Sequence, residues 1–317
     1  MEQVNVIYEW HYDDEQSILL RTFLRNQGIS KRLLAKIKFH GGEIRLNNKT
    51  ENVLAKLQKG DHIWVQVPDE GEHETTVPVD IPIAIVYEDD HILIVDKPAG
   101  VASIPSRKNP HLSMANRVKG YYKRQNYADQ VIHIVTRLDR DTTGLMLFAK
   151  NRYTHALMDQ QLRNKTIQKY YYALTSPYNR LEEEHGFINA PIARTDDSII
   201  TRQVKEGGKD ALTEYWTARR YRDGHLYRIQ LHTGRTHQIR VHFTHMGAPL
   251  VGDSLYGGPE NDIVKRQALH CKALVFNHPL TGERLTIETD FPTDFKDWLA
   301  QEEEKEGRSY DGTAIRI

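Results

Sequence analysis

Short apolar segments bounded by polar residues constrain the fold of this 317-residue chain more than any other feature. Two of them, Ile92–Val95 and Leu145–Ala149, have the length and composition of buried β-strands. Aromatic and β-branched residues predict further strands over Tyr170–Leu174 and Tyr227–Leu231, and a helical pattern follows at residues 239–246. Because the predicted strands outnumber the helices and do not alternate strictly with them, we expect an α+β fold rather than a doubly wound sheet.

The first 67 residues predict a separate, small α+β domain. Apolar residues recur at helical spacing over residues 19–24, and Ser30 is a suitable N-cap for a second helix that stops at Gly41–Gly42. Alternating residues at 43–47 and 62–67 then predict short strands. We expect a linker at residues 68–80, the main domain at 81–300 and a loose charged tail at 301–317.

Charge is balanced over the whole chain but not along it. Lys and Arg number 43, and so do Asp and Glu, so the net charge alone predicts no partner. Residues 19–49 hold eight basic residues against one acid, Glu43, and on two helices these would present a cationic face to a phosphate backbone. The candidates for such binding are Arg25, Lys31, Arg32 and Lys38. An ordinary solvated helix face is the alternative for this segment.

Other sequence features restrict the cellular setting. Cys271 is the only cysteine, which excludes an internal disulfide and a thiolate metal cluster. No apolar run reaches the ~18 residues of a membrane-spanning helix, and the first residues lack the pattern of a secretory signal. We therefore expect a protein of the reducing cytoplasm that does not associate with membranes.

Two polar motifs, far apart in the chain, carry the residues suited to chemistry. The run 135–145 places a carboxylate, Asp139, in a turn directly before a strand of buried type, with Arg137 beside it. The run 231–242 supplies a dense set of cationic and hydrogen-bonding groups, among them Arg235 and Arg240. A lone Asp in a turn usually only shapes the turn. A rigidly supported carboxylate opposed by cations is also what nucleophilic or acid–base catalysis requires.

Together these motifs resemble those of the RluA-type family of RNA pseudouridine synthases. The turn at Lys97–Gly100 and the segments 252–257 and 270–282 also match that family. The resemblance implies a synthase fold with a mixed, largely antiparallel central sheet and a catalytic cleft, and an isomerisation of uridine that needs neither a cofactor nor a metal. The pattern at residues 28–61 resembles, through shorter motifs, the RNA-binding domain of small-subunit ribosomal protein S-four.

The resemblance also implies roles for individual residues. Asp139 matches the aspartate that performs the chemistry, and Arg240 matches the arginine that keeps this carboxylate charged in a mostly dry pocket. Tyr171 is the candidate to stack on the target uracil. The adjacent Tyr170 and Tyr172 leave the register open, although strand alternation places those two together on the opposite face.

Arg137 and Arg235 are further candidates for RNA contact. In the family, the arginine at the place of Arg137 fills the space that the flipped base leaves, and a surface ion pair with Asp141 is the alternative. We expect Arg235 to meet RNA phosphate. The chain departs from the family at Thr136, where a histidine is usual, and at Thr143, where a serine is usual. Because the aspartate is intact, we expect altered RNA contact rather than an inactive enzyme.

Two other functions fit parts of the sequence. Sixteen histidines suggest a metal site, but His232, His237, His242 and His245 lack the spacing of a zinc hydrolase, and nearby arginines would repel a cation. A non-catalytic RNA-binding protein on a synthase scaffold is the second alternative, supported only by Thr136. The N-terminal domain favours ribosomal RNA as substrate, with transfer RNA left open. We expect a monomer without an obligatory protein partner.

Overall fold

A computed structural model describes residues 6–70, 76–106, 110–179, 181 and 183–308. The N-terminal domain consists of β1 (Val6–His11), α1 (Leu20–Asn26), α2 (Lys31–Phe39), β2 (Glu43–Leu46), β3 (Lys49–Thr50) and β4 (His62–Val67). Its strands form an antiparallel sheet in the order β1-β4-β2-β3. The two predicted helices and the small sheet are confirmed, whereas β1 is a strand that the sequence analysis did not predict.

The second domain contains the remaining strands and helices of the described chain. In order these are β5 (Ala84–Glu88), β6 (Ile92–Lys97), α3 (Met114–Arg124), β7 (His133–Ile134), β8 (Thr143–Ala149), α4 (Arg152–Arg163), β9 (Gln168–Thr175), β10 (His185–Asn189), β11 (Ile192–Arg194), β12 (Arg202–Val204), β13 (Leu212–Arg220), β14 (His225–Leu231), α5 (Gln238–His245), β15 (Leu269–Asn277), β16 (Arg284–Glu288) and α6 (Thr293–Lys305). None of the described helices is long and apolar enough to cross a membrane.

A ten-stranded sheet forms the centre of this domain. Its main path runs β10-β13-β14-β9-β15-β8-β6-β5, with β16 paired to β15 and β7 paired to β8. The pairing of β15 with β8 is parallel, and the other pairings of this sheet are antiparallel. The predicted α+β fold with a mixed, largely antiparallel sheet is confirmed.

The apolar runs form the buried centre of the sheet, as predicted. Every residue of β8 is buried, and so are Ile92–Val95 of β6. Side chains on both faces of these strands are covered, which explains why the sequence shows continuous apolar runs rather than alternation. The turn that carries Asp139 leads directly into β8, so a fully buried strand supports it.

The N-terminal domain packs against helix α4 of the second domain. The rings of Tyr8 and Tyr153 lie 4.5 Å apart, and the Tyr153 hydroxyl donates a hydrogen bond of 2.6 Å to the Gln27 carbonyl. Gly28 has a φ of +89° and lies so close to Leu157 that an added Cβ would clash with it. The two domains therefore share part of their apolar core.

The segment predicted as a linker is anchored at its start. The Glu70 side chain is only 5% exposed, and its carboxylate pairs with His133 at 2.8 Å and with Arg152 at 2.6 Å. Burial opposes the charge of Glu70, but these partners outweigh it and lower its pKa. A buried and paired carboxylate fixes the chain that carries it. Residues 71–75 of the predicted linker lie outside the described residues.

The predicted tail begins too early. Helix α6 continues to Lys305, past residue 301, and its Glu302 and Glu303 are buried. Glu303 accepts an ion pair of 2.7 Å from Arg219 of β13. The charged sequence looked solvated because Arg219, the partner on β13, is distant in sequence. Residues 309–317 lie outside the described residues.

Candidate active site

Asp139 lies in a turn that is held on both sides. The Ser103 hydroxyl donates to the Leu138 carbonyl at 2.6 Å and accepts from the Leu138 N–H at 3.0 Å. On the other side, Lys97 donates to the Arg140 carbonyl at 2.8 Å. The Asp139 side chain is 26% exposed, so a fixed backbone presents a carboxylate that solvent and ligands can reach.

Lys97 connects this turn to the turn of the Lys97–Gly100 motif. Its ammonium also donates to the carbonyls of Pro98 and Val101, each at 2.8 Å, and the side chain is fully buried. Burial lowers the pKa of Lys97 to about 7. The turn at Lys97–Gly100 that matches the family is therefore hydrogen-bonded directly to the turn of Asp139.

Arg240, on α5, joins two carboxylates. Its Nη1 donates to Oδ2 of Asp139 at 3.1 Å, while Nε and Nη2 donate to Asp253 at 2.7 and 2.8 Å. Burial opposes the guanidinium charge, but Asp253 and then Asp139 outweigh it and raise the pKa of Arg240. The structure thus brings together the two residues that the sequence analysis paired. Asp253, for which the sequence indicated no role, orients the arginine.

His237 is a neighbour of Asp139 that the sequence analysis considered only as a metal ligand. Its Nε2 lies 3.8 Å from Oδ2 of Asp139, and its Nδ1 lies 2.8 Å from the Tyr256 hydroxyl. Burial lowers the pKa of His237; Asp139 opposes this shift, and Arg240 adds to it. His237 has a φ of +58° at the start of α5. Such a backbone conformation in a non-glycine residue is costly and often marks a functional site.

Tyr171 is the tyrosine of its triplet that faces the cleft. It lies on β9 between Ile229 of β14 and Cys271 of β15, and it is 5% exposed. Burial, together with Cys271, raises the pKa of Tyr171 well above its usual value. Tyr172 points to the opposite face of the sheet, where its ring lies 5.2 Å from that of Phe291. The register that the sequence left open therefore places Tyr171 on the same cleft as Asp139.

These residues line a cleft of about 630 Å³. Its lining is strongly cationic, and Asp139 is the carboxylate among the described residues that form it. The basic residues of the lining are Arg137, Arg140, Lys165, Lys169, Arg235 and Arg240. A cleft of one charge sign concentrates a ligand of the opposite sign, here a polyanion.

Two arginines assigned to RNA contact lie in this lining. Arg137 is exposed and has no ion pair within the described part of the chain. The alternative pairing with Asp141 is wrong, because Arg140 makes that contact at 3.0 Å. Arg235 donates through Nε to the Asp210 carbonyl at 2.9 Å, which leaves its charge uncompensated by a carboxylate.

The basic residues of the N-terminal domain lie outside the cleft lining. Arg25 is on α1, and Lys31, Arg32 and Lys38 are on α2. All four side chains are exposed, and no acidic partner occurs for them among the residues described. They remain available for an anionic ligand.

The two departures from the family motifs are both buried. The Thr136 hydroxyl accepts a hydrogen bond of 2.9 Å from the Leu147 N–H. The Thr143 hydroxyl lies 2.9 Å from Nδ1 of His270. Because both hydroxyls form hydrogen bonds within the fold, these contacts give no support to an altered RNA contact through Thr136.

The histidines considered as metal ligands form no cluster: no set of three or more metal-ligating side chains occurs in the described ranges.

Comparison with known proteins agrees with this geometry. A family model described as RNA pseudouridylate synthase matches residues 91–245. The uncharacterized RNA pseudouridine synthase YjbO of Bacillus subtilis (strain 168) is 42% identical over 267 residues, which cover 84% of this chain and 93% of that protein. The ribosomal large subunit pseudouridine synthase D of Pseudomonas aeruginosa is 37% identical over 255 residues, covering 75% of this chain and 78% of the relative.

Solved structures show the same fold. Human RNA pseudouridylate synthase domain containing 4 matches with a TM-score of 0.55 and 21% identity, over 67% of this chain and 90% of that chain. Human RNA pseudouridylate synthase domain containing 1 gives a TM-score of 0.53 and 24% identity, over 67% and 84% of the two chains. The sequence relatives and the family model show that the chain belongs to the RluA-type family of RNA pseudouridine synthases, isomerases that act on RNA.

Proposed function

We propose that this synthase isomerises uridines of large-subunit ribosomal RNA and that Asp139 is its catalytic carboxylate. The observation that carries the proposal is the placement of Asp139 in a cationic cleft, 3.1 Å from Arg240 and beside Tyr171. Relatives named as ribosomal large subunit pseudouridine synthase D, 33% to 37% identical, favour ribosomal RNA over transfer RNA.

The reaction sets demands that these residues meet. The target uridine must leave its stack before the protein can reach its glycosidic bond. Tyr171 offers an aromatic face for the displaced base, and Arg137 and Arg235 offer charge to the RNA backbone. Asp139 then acts on the nucleotide as nucleophile or base, while Arg240 keeps its carboxylate in place.

Bond changes in the reaction balance without any co-reactant. The bond from ribose C1′ to uracil N1 breaks, and a bond from C1′ to C5 forms. The proton on C5 leaves, and N1 gains a proton. No electrons are lost, so the chemistry requires no redox cofactor.

The test of Asp139 is the variant Asp139→Asn, which keeps the shape of the side chain and removes its charge. We expect no release of tritium from RNA labelled at uridine C5, with RNA affinity close to native. Asp141→Asn is the matched control, because Asp141 lies in the same turn and pairs with Arg140. Appreciable turnover by Asp139→Asn would contradict the assignment.

The substrate is tested in cells. Pseudouridine mapping of total RNA with and without the gene should show sites lost from large-subunit ribosomal RNA. Loss only from transfer RNA would identify the alternative substrate. An unchanged map, together with no tritium release by the native protein, would favour a non-catalytic RNA-binding role.

A further inference from the structure

Lys169 is a basic residue of the cleft to which the mechanism above gives no role. It lies on β9 two residues before Tyr171, so both side chains belong to the same face of the strand, roughly 7 Å apart along it. Both line the cleft. Its ammonium lies beside Gly234, where an added Cβ would be 3.5 Å from Nζ. Lys169 is therefore within reach of a base that is held against Tyr171.

The charge of Lys169 has no partner inside the described protein. Arg240 pairs with Asp253 and Asp139, whereas Lys169 has neither a hydrogen bond nor an ion pair among the residues described. Burial lowers the pKa of Lys169, and the thiol of Cys271 is the only group that opposes this shift. A partly dry ammonium without an anion is unfavourable. An anionic ligand in the cleft would remove that cost.

The reaction itself produces an anion at this place. When the bond from C1′ to N1 breaks, its electron pair stays with uracil, and the negative charge spreads over N1 and the two ring oxygens. A preorganised donor is most effective where charge develops during the reaction, in a site that excludes water. Asp139 is negative and cannot fill this role, and Arg240 is already held by two carboxylates.

We propose that Lys169 is a catalytic residue that donates a hydrogen bond to a uracil oxygen and stabilises the detached uracil anion. Its proton stays on Nζ throughout. The negative charge disappears when C5 bonds to C1′, C5 loses its proton and N1 gains one. The inference rests on the proposed roles of Asp139 and Tyr171.

The first test compares Lys169→Met, Lys169→Arg and the native protein on RNA labelled with tritium at uridine C5. The Met side chain keeps much of the bulk but cannot donate. We expect the single-turnover rate at saturating RNA to fall about 100-fold, the loss typical of one oxyanion donor, with RNA affinity nearly unchanged. Lys169→Arg should retain more activity than Met. Lys123→Met, an exposed lysine of α3 outside the cleft lining, controls for loss of one positive charge.

The second test separates the uracil anion from an RNA phosphate. Fluorine at uridine C5 makes uracil a better leaving group, so the loss caused by Lys169→Met should shrink for cleavage of the glycosidic bond in fluorinated RNA. Mass spectrometry of nuclease digests measures the consumed target. An equal loss on both RNAs would overturn the inference, as would weaker binding with an unchanged saturated rate, which would indicate a phosphate contact.

The outcome for Asp139→Asn distinguishes the two proposals. If that variant is inactive and Lys169→Met works at the native rate, only the role of Lys169 is wrong. If Asp139→Asn is active, the proposed catalytic carboxylate is wrong whatever Lys169 does. Thermal unfolding of each variant confirms that a lost rate does not reflect a lost fold.

Discussion

The link between Arg240 and Asp253 leads to a quantitative prediction for Arg240→Met. This change removes two hydrogen bonds to Asp253, which is 1% exposed, and one to Asp139. Hydrogen bonds to charged groups contribute about 1.5–3 kcal/mol each, and breaking a buried ion pair costs about 3–5 kcal/mol. We therefore expect destabilisation by about 3–5 kcal/mol, or a midpoint lowered by about 6–20 °C for a domain of this size.

A second substitution separates stability from activity. In the double variant Arg240→Met with Asp253→Leu, apolar groups replace both partners, so no buried charge is left unpaired. Stability should then recover most of the loss, because buried ion pairs contribute little compared with well-packed apolar groups. Activity should not recover, since Asp139 still lacks its cation. Thermal unfolding and single-turnover tritium release measure the two quantities.

Arg219→Met is the matched control for this prediction. Arg219 pairs with the buried Glu303 at 2.7 Å, at helix α6 and outside the cleft lining. Its loss should lower stability and leave the rate of isomerisation unchanged. If the double variant of Arg240 and Asp253 reached the native rate, the contact between Arg240 and Asp139 would not serve catalysis. A single Arg240 variant as stable as the native protein would refute the argument from the buried charge.

Two further predictions concern the junction of the domains. Deleting residues 1–67 should weaken RNA binding and reduce its salt dependence, because fewer counterions are released. The deletion should also lower the unfolding midpoint by exposing Tyr153 and Leu157. An unchanged dependence of RNA binding on salt would rule out the RNA-binding role of this domain. Burial raises the pKa of Asp129 to about 6, so the stability that its protonated carboxyl group contributes is lost as pH rises from about 4 to 6. Asp129→Asn should therefore unfold at higher temperature at pH 7, with the difference closing below pH ~4; an equal difference at both pH values would contradict this reasoning.

Local sequence patterns were sufficient to predict much of the fold. The apolar runs of β6 and β8 identified the sheet centre because strands buried on both faces need apolar residues at every position. The same patterns did not predict that β15 pairs in parallel with β8, since that contact joins His270 to Thr143 across most of the domain. They also missed the end of α6, because Arg219, which pairs with the buried Glu303, lies far away in sequence.

The sequence motifs identified individual residues of the site but not all of the contacts between them. The motifs indicated Asp139, Arg240 and Tyr171, and the structure places all three on one cleft. The second partner of Arg240, Asp253, lies in a loop whose path no periodicity describes. The sequence also does not show that Lys169 lacks an anionic partner among the described residues, because this depends on which side chains surround it in the folded protein.

The balanced charge of the chain is compatible with an RNA substrate because the fold uses its acids internally. Glu70, Asp253, Glu302 and Glu303 are all buried, and each accepts ion pairs or hydrogen bonds from the protein itself. Most cations of the cleft lining and of the N-terminal helices have no such partner among the described residues. Because these carboxylates are paired inside the protein, the cleft and the N-terminal helices are positively charged although the chain as a whole is neutral. It follows that RNA affinity should fall steeply with added salt, although the net charge alone would predict no such dependence.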